Sequence, residues 1–379
     1  LVVDEGHKLG DVARSVLGWK ISEGRFARVA AGVERESGDS GVAGSLRVAG
    51  RLVSELAVSV RNNPRFKARM REPITGIDLA RVEGSILGAI DAMAGYESPK
   101  AAMVKRHLVT LREETLRVLR LESPDIYVYW PDTSNKGRSW HFEARHLTPG
   151  EVLREGYKDS ETGRSRTTIL TSATLDAGDG FRMVSEETGT DGAETLSVES
   201  PFDFKKNARW FVPPGITTDP NDPKYLPEAL SALRQLAESS TGRMLCLFTS
   251  NRVLAAAKEM FQETDYEVLC QGDLPVPDLV KKFHENPGTI LLGTASLWTG
   301  IDVPGEALSL LVIDRIPFVP LDDPIHDALC ERAGSRAFVK VSLPDAILKL
   351  RQGIGRLIRS MTDVGVFAFL DRRILTKGY

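Results

Sequence analysis

A chain of 379 residues exceeds the roughly 250–300 at which one hydrophobic core stops growing, so two or three domains are expected. Its 42% hydrophobic and 27% charged residues fit an ordinary soluble globular protein, and no apolar run approaches the roughly 18 residues of a membrane span, which argues against a membrane partner. The net charge of -3 hides an asymmetry: residues 11–125 carry 19 Lys and Arg against 15 Asp and Glu, so any nucleic-acid contact has to come from local patches. Cys246, Cys270 and Cys330 match neither a zinc-ligand spacing nor a disulfide framework and read as reduced core thiols in a cytoplasmic protein. No signal segment is visible, and the chain opens with Leu inside a strand pattern, as a piece of a longer polypeptide would.

The opening stretch Leu1-Val2-Val3-Asp4-Glu5-Gly6-His7 reads as a buried strand that delivers two carboxylates and a histidine to the carboxyl edge of a sheet, where open α/β folds bind ligands. Such a pair suits nucleotide hydrolysis: Asp4 would hold Mg²⁺ through water, and Glu5 would polarise the attacking water. A strand running into a helix-capping turn explains the same residues without chemistry. From 11 to 125 helical periodicity takes over, at 46–60, 77–93 and 101–121, with a flexible loop expected at 32–44. Arg61, Arg65, Lys67, Arg69 and Arg71 crowd around Pro64 as either a solvated face or a DNA contact.

Strands are expected again near 126–129 and 140–142, with Tyr127, Tyr129, Trp130, Trp140 and Phe142 as core aromatics rather than base-stacking platforms. A short strand at 167–170 runs into Thr171-Ser172-Ala173-Thr174-Leu175, whose hydroxyls either cap a helix or relay between a phosphate site and a neighbouring domain. Beyond a Pro- and Asp-rich linker at 213–223, near-continuous apolar runs at 244–248, 266–269, 289–292, 308–314 and 365–370 alternate with helices at 226–238, 252–262, 277–284, 322–333 and 344–359. That alternation describes a doubly wound domain with a parallel sheet.

Two further stretches carry polar chemistry. Residues 293–305 form a loop rich in Gly, Thr and Ser after a buried strand; its glycines would let backbone amides approach phosphate oxygens, and Asp302 would accept from a ribose or an arginine. On the last helix, at about 100° per residue, Gln352, Arg356 and Arg359 fall within about 60° of one another. Ile347, Leu350, Ile354, Leu357 and Ile358 occupy the other side. A solvated basic face is the plain reading, yet Gly353 and Gly355 each cost roughly 1 kcal/mol in a helix interior, which suggests close backbone approach to something.

In order, these residues resemble the motifs of superfamily 2 helicases of the DinG/XPD branch. Asp4-Glu5-Gly6-His7 resembles the DEAH box, 170–175 the Ser-Ala-Thr motif, Leu247-Phe248-Thr249-Ser250 motif IV, 293–305 motif V and 352–359 motif VI. Ser200-Pro201-Phe202-Asp203-Phe204 and Leu370-Asp371-Arg372-Arg373 also look DinG-like, whereas Thr299 stands where the family usually has Glu. The resemblance implies an α/β protein of two RecA-like motor domains, the first incomplete: 1–10 and 126–212, then 213–379, with a helical arch-like insert at 11–125. It implies ATP-driven 5′→3′ unwinding of single-stranded, forked or overhang DNA by a monomer in repair or replication-associated processing. Asp4, Glu5, His7, Gln352, Arg356 and Arg359 would be catalytic; Ser172, Thr174, Gly300, Asp302 and Gly355 would bind or sense ATP; Thr249, Ser250, Thr294 and Trp298 would touch DNA. The chain has no Gly-Lys dipeptide, so the phosphate-binding P-loop, and any 4Fe-4S module, would lie upstream. A DinG-like exonuclease and a non-catalytic nucleic-acid-binding protein with a retained motor fold remain the alternatives.

Overall fold

The computed structural model describes residues 1–134, 137–159, 161–294, 297, 308–355, 357–358 and 361–378. These form two compact units, one of Leu1–Ser172, Arg182–Ala193 and Val319–Val341, the other of Ala173–Phe181, Glu194–Phe318 and Ser342–Tyr379.

In the first unit, β1 (Val2–Val3) pairs in parallel with β5 (Ile169–Leu170). The opening strand was expected to be buried, but Val2 is 67% and Ile169 51% exposed. Two strands alone shield neither face of their ribbon, so β-branched side chains remain in water. After α1 (Leu9–Val16) comes β2 (Trp19–Ser22), a strand inside the segment read as helical. It pairs antiparallel with β4 (Ser139–His146), which also pairs with β3 (Tyr127–Ser134).

Four helices complete this layer: α2 (Glu23–Ser37), α3 (Ser40–Arg61), α4 (Ile77–Ala92) and α5 (Pro99–Leu119). The flexible loop expected at 32–44 is instead a tight helical junction. Gly38 ends α2 at φ 72°, and the Asp39 side chain accepts the Val42 N–H to cap α3; glycine reaches that dihedral without a Cβ clash. Phe26, Leu46, Val53, Ile86 and Leu111 from the helices bury against Ile21, Tyr129 and Phe142 from the sheet. The boundary at 125 therefore falls inside a shared core: β3 and β4, expected in a motor domain, supply the floor on which the helices pack. Two short helices follow, α6 (Gly150–Gly156) and α7 (Arg182–Thr188).

The second unit begins with α8 (Phe204–Asn207) and is built on a parallel sheet of β6 (Ala208–Phe211), β7 (Met244–Leu247), β8 (Val268–Cys270), β9 (Ile290–Gly293), β10 (Leu310–Ile313) and β11 (Gly365–Phe369), in the order β6-β11-β10-β7-β9-β8. Helices α9 (Tyr225–Ser240), α10 (Asn251–Gln262) and α11 (Val276–Glu285) connect them. Central strands β7, β9 and β10 are buried along their whole length, because apolar clusters cover both faces. β6 lies upstream of the linker at 213–223 yet joins this sheet through β11, so the boundary at 213 was set too late.

Two helices depart from expectation. Helix α12 (Pro324–Ala333), read as part of the parallel-sheet domain, belongs to the first unit: Ile325, Ala328 and Leu329 pack against Val128, Trp130 and Phe66. Helix α13 (Leu343–Ile354) stops five residues before the expected end at 359. Leu357 turns its N–H back to Ile354 O at 3.1 Å, and both Leu357 and Ile358 are buried. The helix ends in a turn at Gly355. At Gly355, where close backbone approach was expected, a Cβ would meet among the described residues only its own helix's carbonyls, at 3.4 and 3.6 Å.

Candidate active site

The carboxylates after β1 are held by the loop that follows β5. Thr171 N–H donates to Val3 O at 2.9 Å and Gly6 N–H to Thr171 O at 2.8 Å, so the two loops share a backbone ladder beyond their short strands. Asp4 Oδ1 accepts from the Glu5 N–H at 2.9 Å and from the Thr171 hydroxyl at 3.1 Å. That anchoring turns one oxygen inward and leaves Oδ2 without a hydrogen bond among the described residues. An exposed carboxylate with one oriented and one open oxygen suits a water-mediated Mg²⁺ contact.

Glu5 adopts φ 51° and ψ 41°, a left-handed conformation that costs an ordinary side chain about 1–2 kcal/mol. The strained backbone aims its carboxylate at His7 and Ser172. His7 Nδ1 lies 2.7 Å from Ser172 Oγ and 3.2 Å from Glu5 Oε2, and Ser172 Oγ lies 3.4 Å from Glu5 Oε2. A hydroxyl carries one proton, so Ser172 donates either to Glu5 or to His7 Nδ1, according to the His7 tautomer. Sequence alone placed these residues 165 positions apart; the two loops bring them into one polar cluster.

At the carboxyl end of the parallel sheet the strand-end loops converge. Thr249 donates through its N–H to Asp314 Oδ1 at 2.9 Å and through its hydroxyl to Oδ2 at 3.4 Å; Ser250 caps α10 by accepting the Arg252 N–H. Thr294 donates its N–H to Gln271 Oε1 at 2.7 Å. Gly293 is required here, since a Cβ would lie 2.0 Å from the Leu297 side chain. Gln271, Asp314 and Asp371 were not singled out as site residues by sequence, although a carboxylate directly after an apolar strand was a visible signal for the last two.

Asp314 is 1% exposed, and burial pushes its carboxyl up to about 7 against the opposing pull of the Thr249 N–H and the Arg315 guanidinium. Asp371 is fully buried and ionically held: Arg373 forks onto both its oxygens with Nη2 at 2.6 Å, and Ile316 N–H donates at 3.0 Å.

On α13, Gln352 Nε2 donates to Thr174 Oγ1 at 3.4 Å, and the Arg351 guanidinium donates to Asp176 O. Asp176 Oδ1 in turn collects the N–H groups of Gly178, Asp179, Gly180 and Phe181 at 2.8 to 3.4 Å. Partial burial works against its charged form, but those N–H groups and Arg351 outweigh it and hold the carboxyl below its ordinary range. Arg356, Arg359, Gly300, Asp302 and Trp298 lie outside the described residues.

The Helicase C-terminal domain family matches residues 233–379. The ATP-dependent DNA helicase YoaA of Escherichia coli is 28% identical over the whole of this chain, which spans 60% of that protein. The ATP-dependent helicase DinG of Mycobacterium tuberculosis is 42% identical over 56% of the chain and 33% of its own length. A protein of Bacillus subtilis named 3'-5' exonuclease DinG is 34% identical over 70% of the chain and 30% of its own length. A solved XPD helicase superposes on 99% of the chain, and on 65% of its own, with a TM-score of 0.62 at 17% identity, which identifies the two RecA-like folds. Five motifs in family order, a matching C-terminal domain and similarity to YoaA along the whole of this chain agree: the chain is similar to the DinG/XPD-type superfamily 2 helicases.

Proposed function

We propose that this chain is the portion from the DEAH box onward of an ATP-dependent DNA helicase that unwinds with 5′→3′ polarity. The observation that carries the reading is the shared cluster of Asp4, Glu5 and His7 with Thr171 and Ser172, in which a nucleotide-hydrolysis motif is wired to the loop entering the Ser-Ala-Thr segment. Asp4, oriented by Thr171, would hold Mg²⁺ through water, and the ion would supply charge neutralisation beside the β- and γ-phosphates. Glu5, held by Ser172 and His7, would polarise the attacking water. Gln352 would reach the same phosphates, joined by Arg356 and Arg359. Gly300, Asp302 and Gly355 would complete nucleotide sensing.

The motor-domain assignment follows with two revisions: 1–10 and 147–193 belong to the first domain, 11–146 form the arch-like insert, and the second begins before β6, from Glu194. Thr249, Ser250, Thr294 and Trp298 would contact the translocating strand of single-stranded or forked DNA, bound by a cytoplasmic monomer. The basic run at 61–71 is less available than its charge suggests, because Arg69 and Arg71 pair with Asp327 and Glu331. A cavity of about 450 Å³ between α2 and α5 offers a better electrostatic guide. Arg28, Arg35, Lys100 and His107 line it, and none has an ion-pair partner among the described residues.

The test is Glu5→Gln in the complete protein. DNA-stimulated ATP hydrolysis should collapse while single-stranded DNA binding and thermal stability hold; retained turnover would reject the role of Glu5. The name of the Bacillus subtilis relative favours a second reading, a helicase-related exonuclease. Metal-dependent release of nucleotides from a 3′ end by the complete protein, with no strand separation, would favour it.

A further inference from the structure

The antiparallel sheet of the insert gathers three metal-ligating side chains on one face, away from every motif described above. His141 lies on the central strand β4, Asp132 is its register partner on β3, and Glu143 follows two residues along β4 on the same face. One ligand atom from each lies within 4.8 Å of the other two.

Asp132 has one oxygen anchored and one open, whereas Glu143 is held at Oε2 from behind and shares Oε1 with His141 and with Lys20 Nζ at 3.8 Å, a contact that a bound ion would replace. Asp132 Oδ1 accepts the Thr133 N–H at 2.7 Å. Glu143 Oε2 is held by the Arg145 fork, Nη2 at 2.9 Å and Nε at 3.2 Å, and Arg145 itself lies over the Trp130 ring. Donors of this kind behind a ligating oxygen are the usual outer shell of a metal site, where they fix the ligand's orientation. The other Glu143 oxygen, Oε1, stands 3.3 Å from His141 Nε2. Neighbouring ligands on an ion at about 2.0–2.2 Å are about 3.0–3.5 Å apart, so this pair already has a ligand spacing.

The second observation concerns the imidazole. His141 is 1% exposed, and its Nδ1 is buried with no hydrogen-bond partner among the described residues. A ring nitrogen in the interior without a partner is costly. The ring can ligate through Nε2, or through Nδ1 with Nε2–H donating to Glu143.

We propose that Asp132, His141 and Glu143 bind one divalent transition ion, zinc before manganese, with the exposed side at Asp132 left to water. One imidazole and two carboxylates suit an ion of borderline softness. Three ligands on two paired strands give it a structural place: it clamps the β3–β4 hairpin on which the insert's helices pack.

The experiment uses the 379-residue chain and Zn²⁺ alone. After equilibrium dialysis, metal content is measured by atomic emission and the melting temperature is recorded with and without zinc. The proposal expects one equivalent of zinc and a higher melting temperature with the ion. Asp132→Asn should bind at least tenfold more weakly and lose the thermal shift; because Asp132 is exposed, that variant keeps its fold. His141→Gln should behave alike, with far-ultraviolet circular dichroism as the folding control. No retained zinc, or equal retention by Asp132→Asn, overturns the site. So does loss of zinc on Cys330→Ser alone, which would assign the ion to the pair formed by Cys330 Sγ and His326 Nε2 at 3.3 Å.

Discussion

Asp4 after β1 and Asp314 and Asp371 after β10 and β11 are the same device in sequence, an apolar strand ending in a carboxylate, and three different things in space. Asp4 closes a two-stranded ribbon and stays exposed, with an oxygen to spare. The other two close central strands of a six-stranded parallel sheet; one is buried and its charge disfavoured, the other is buried and locked to Arg373. The two carboxylates enclosed by the six-stranded sheet are parts of its scaffold, whereas Asp4 keeps an oxygen for a ligand.

The largest effect that would break this comparison is on turnover. General base catalysis contributes about 10²–10⁴-fold, so Glu5→Gln in the complete protein should lose that much in steady-state ATPase while its melting temperature stays near that of the parent. If the variant unfolded instead, the exposed carboxylates would be scaffold too.

Asp371→Ala should do the reverse. It removes the buried carboxylate that the Arg373 guanidinium and the Ile316 N–H share, and breaking a buried pair costs about 3–5 kcal/mol. The second unit should unfold at lower urea, read by the fluorescence of Trp210, which stacks on Phe369 of β11 at 5.4 Å.

Asp314 sharpens the contrast through pH. Its folded pKa, about 7, lies above the ordinary value of 3.8, so folding disfavours the charged form. Its contribution to stability is harmless below about pH 4, declines as pH rises towards 7 and levels off above. Asp314→Asn keeps an acceptor for Thr249 and removes the decline. Relative to the parent it should gain about 2–4 kcal/mol between pH 4 and 8, measured by urea unfolding at each pH; a constant difference would mean that Asp314 is not desolvated.

The smallest effect is expected where charges are plentiful but wet. Arg71 and Glu331 are both half-exposed, at 51% and 56%, and such pairs couple by about 0.2–1 kcal/mol. A double-mutant cycle with Arg71→Ala and Glu331→Ala should stay in that range, and a larger coupling would show that the contact between the basic loop and α12 is cooperative.

The sequence by itself determined most of the elements and the resemblance to DinG/XPD helicases. Near-continuous apolar runs predicted all five expected strands of the second unit within a few residues, because a strand covered on both faces cannot hide its composition. Motif order carried the DinG/XPD resemblance without any geometry. Tertiary structure decided what periodicity does not encode. β2 and β6 are four residues each and take their strand identity from partners at β4 and β11, far away in the chain. Helix α13 ends at Ile354, and Leu357 and Ile358 reach the core from beyond its last turn. The Glu5–His7–Ser172 cluster and the Asp132–His141–Glu143 face likewise join residues that only strand pairing makes neighbours. Local propensity acts over a few residues, whereas pairing and burial act across the whole chain, and it is pairing and burial that decide which carboxylates meet water.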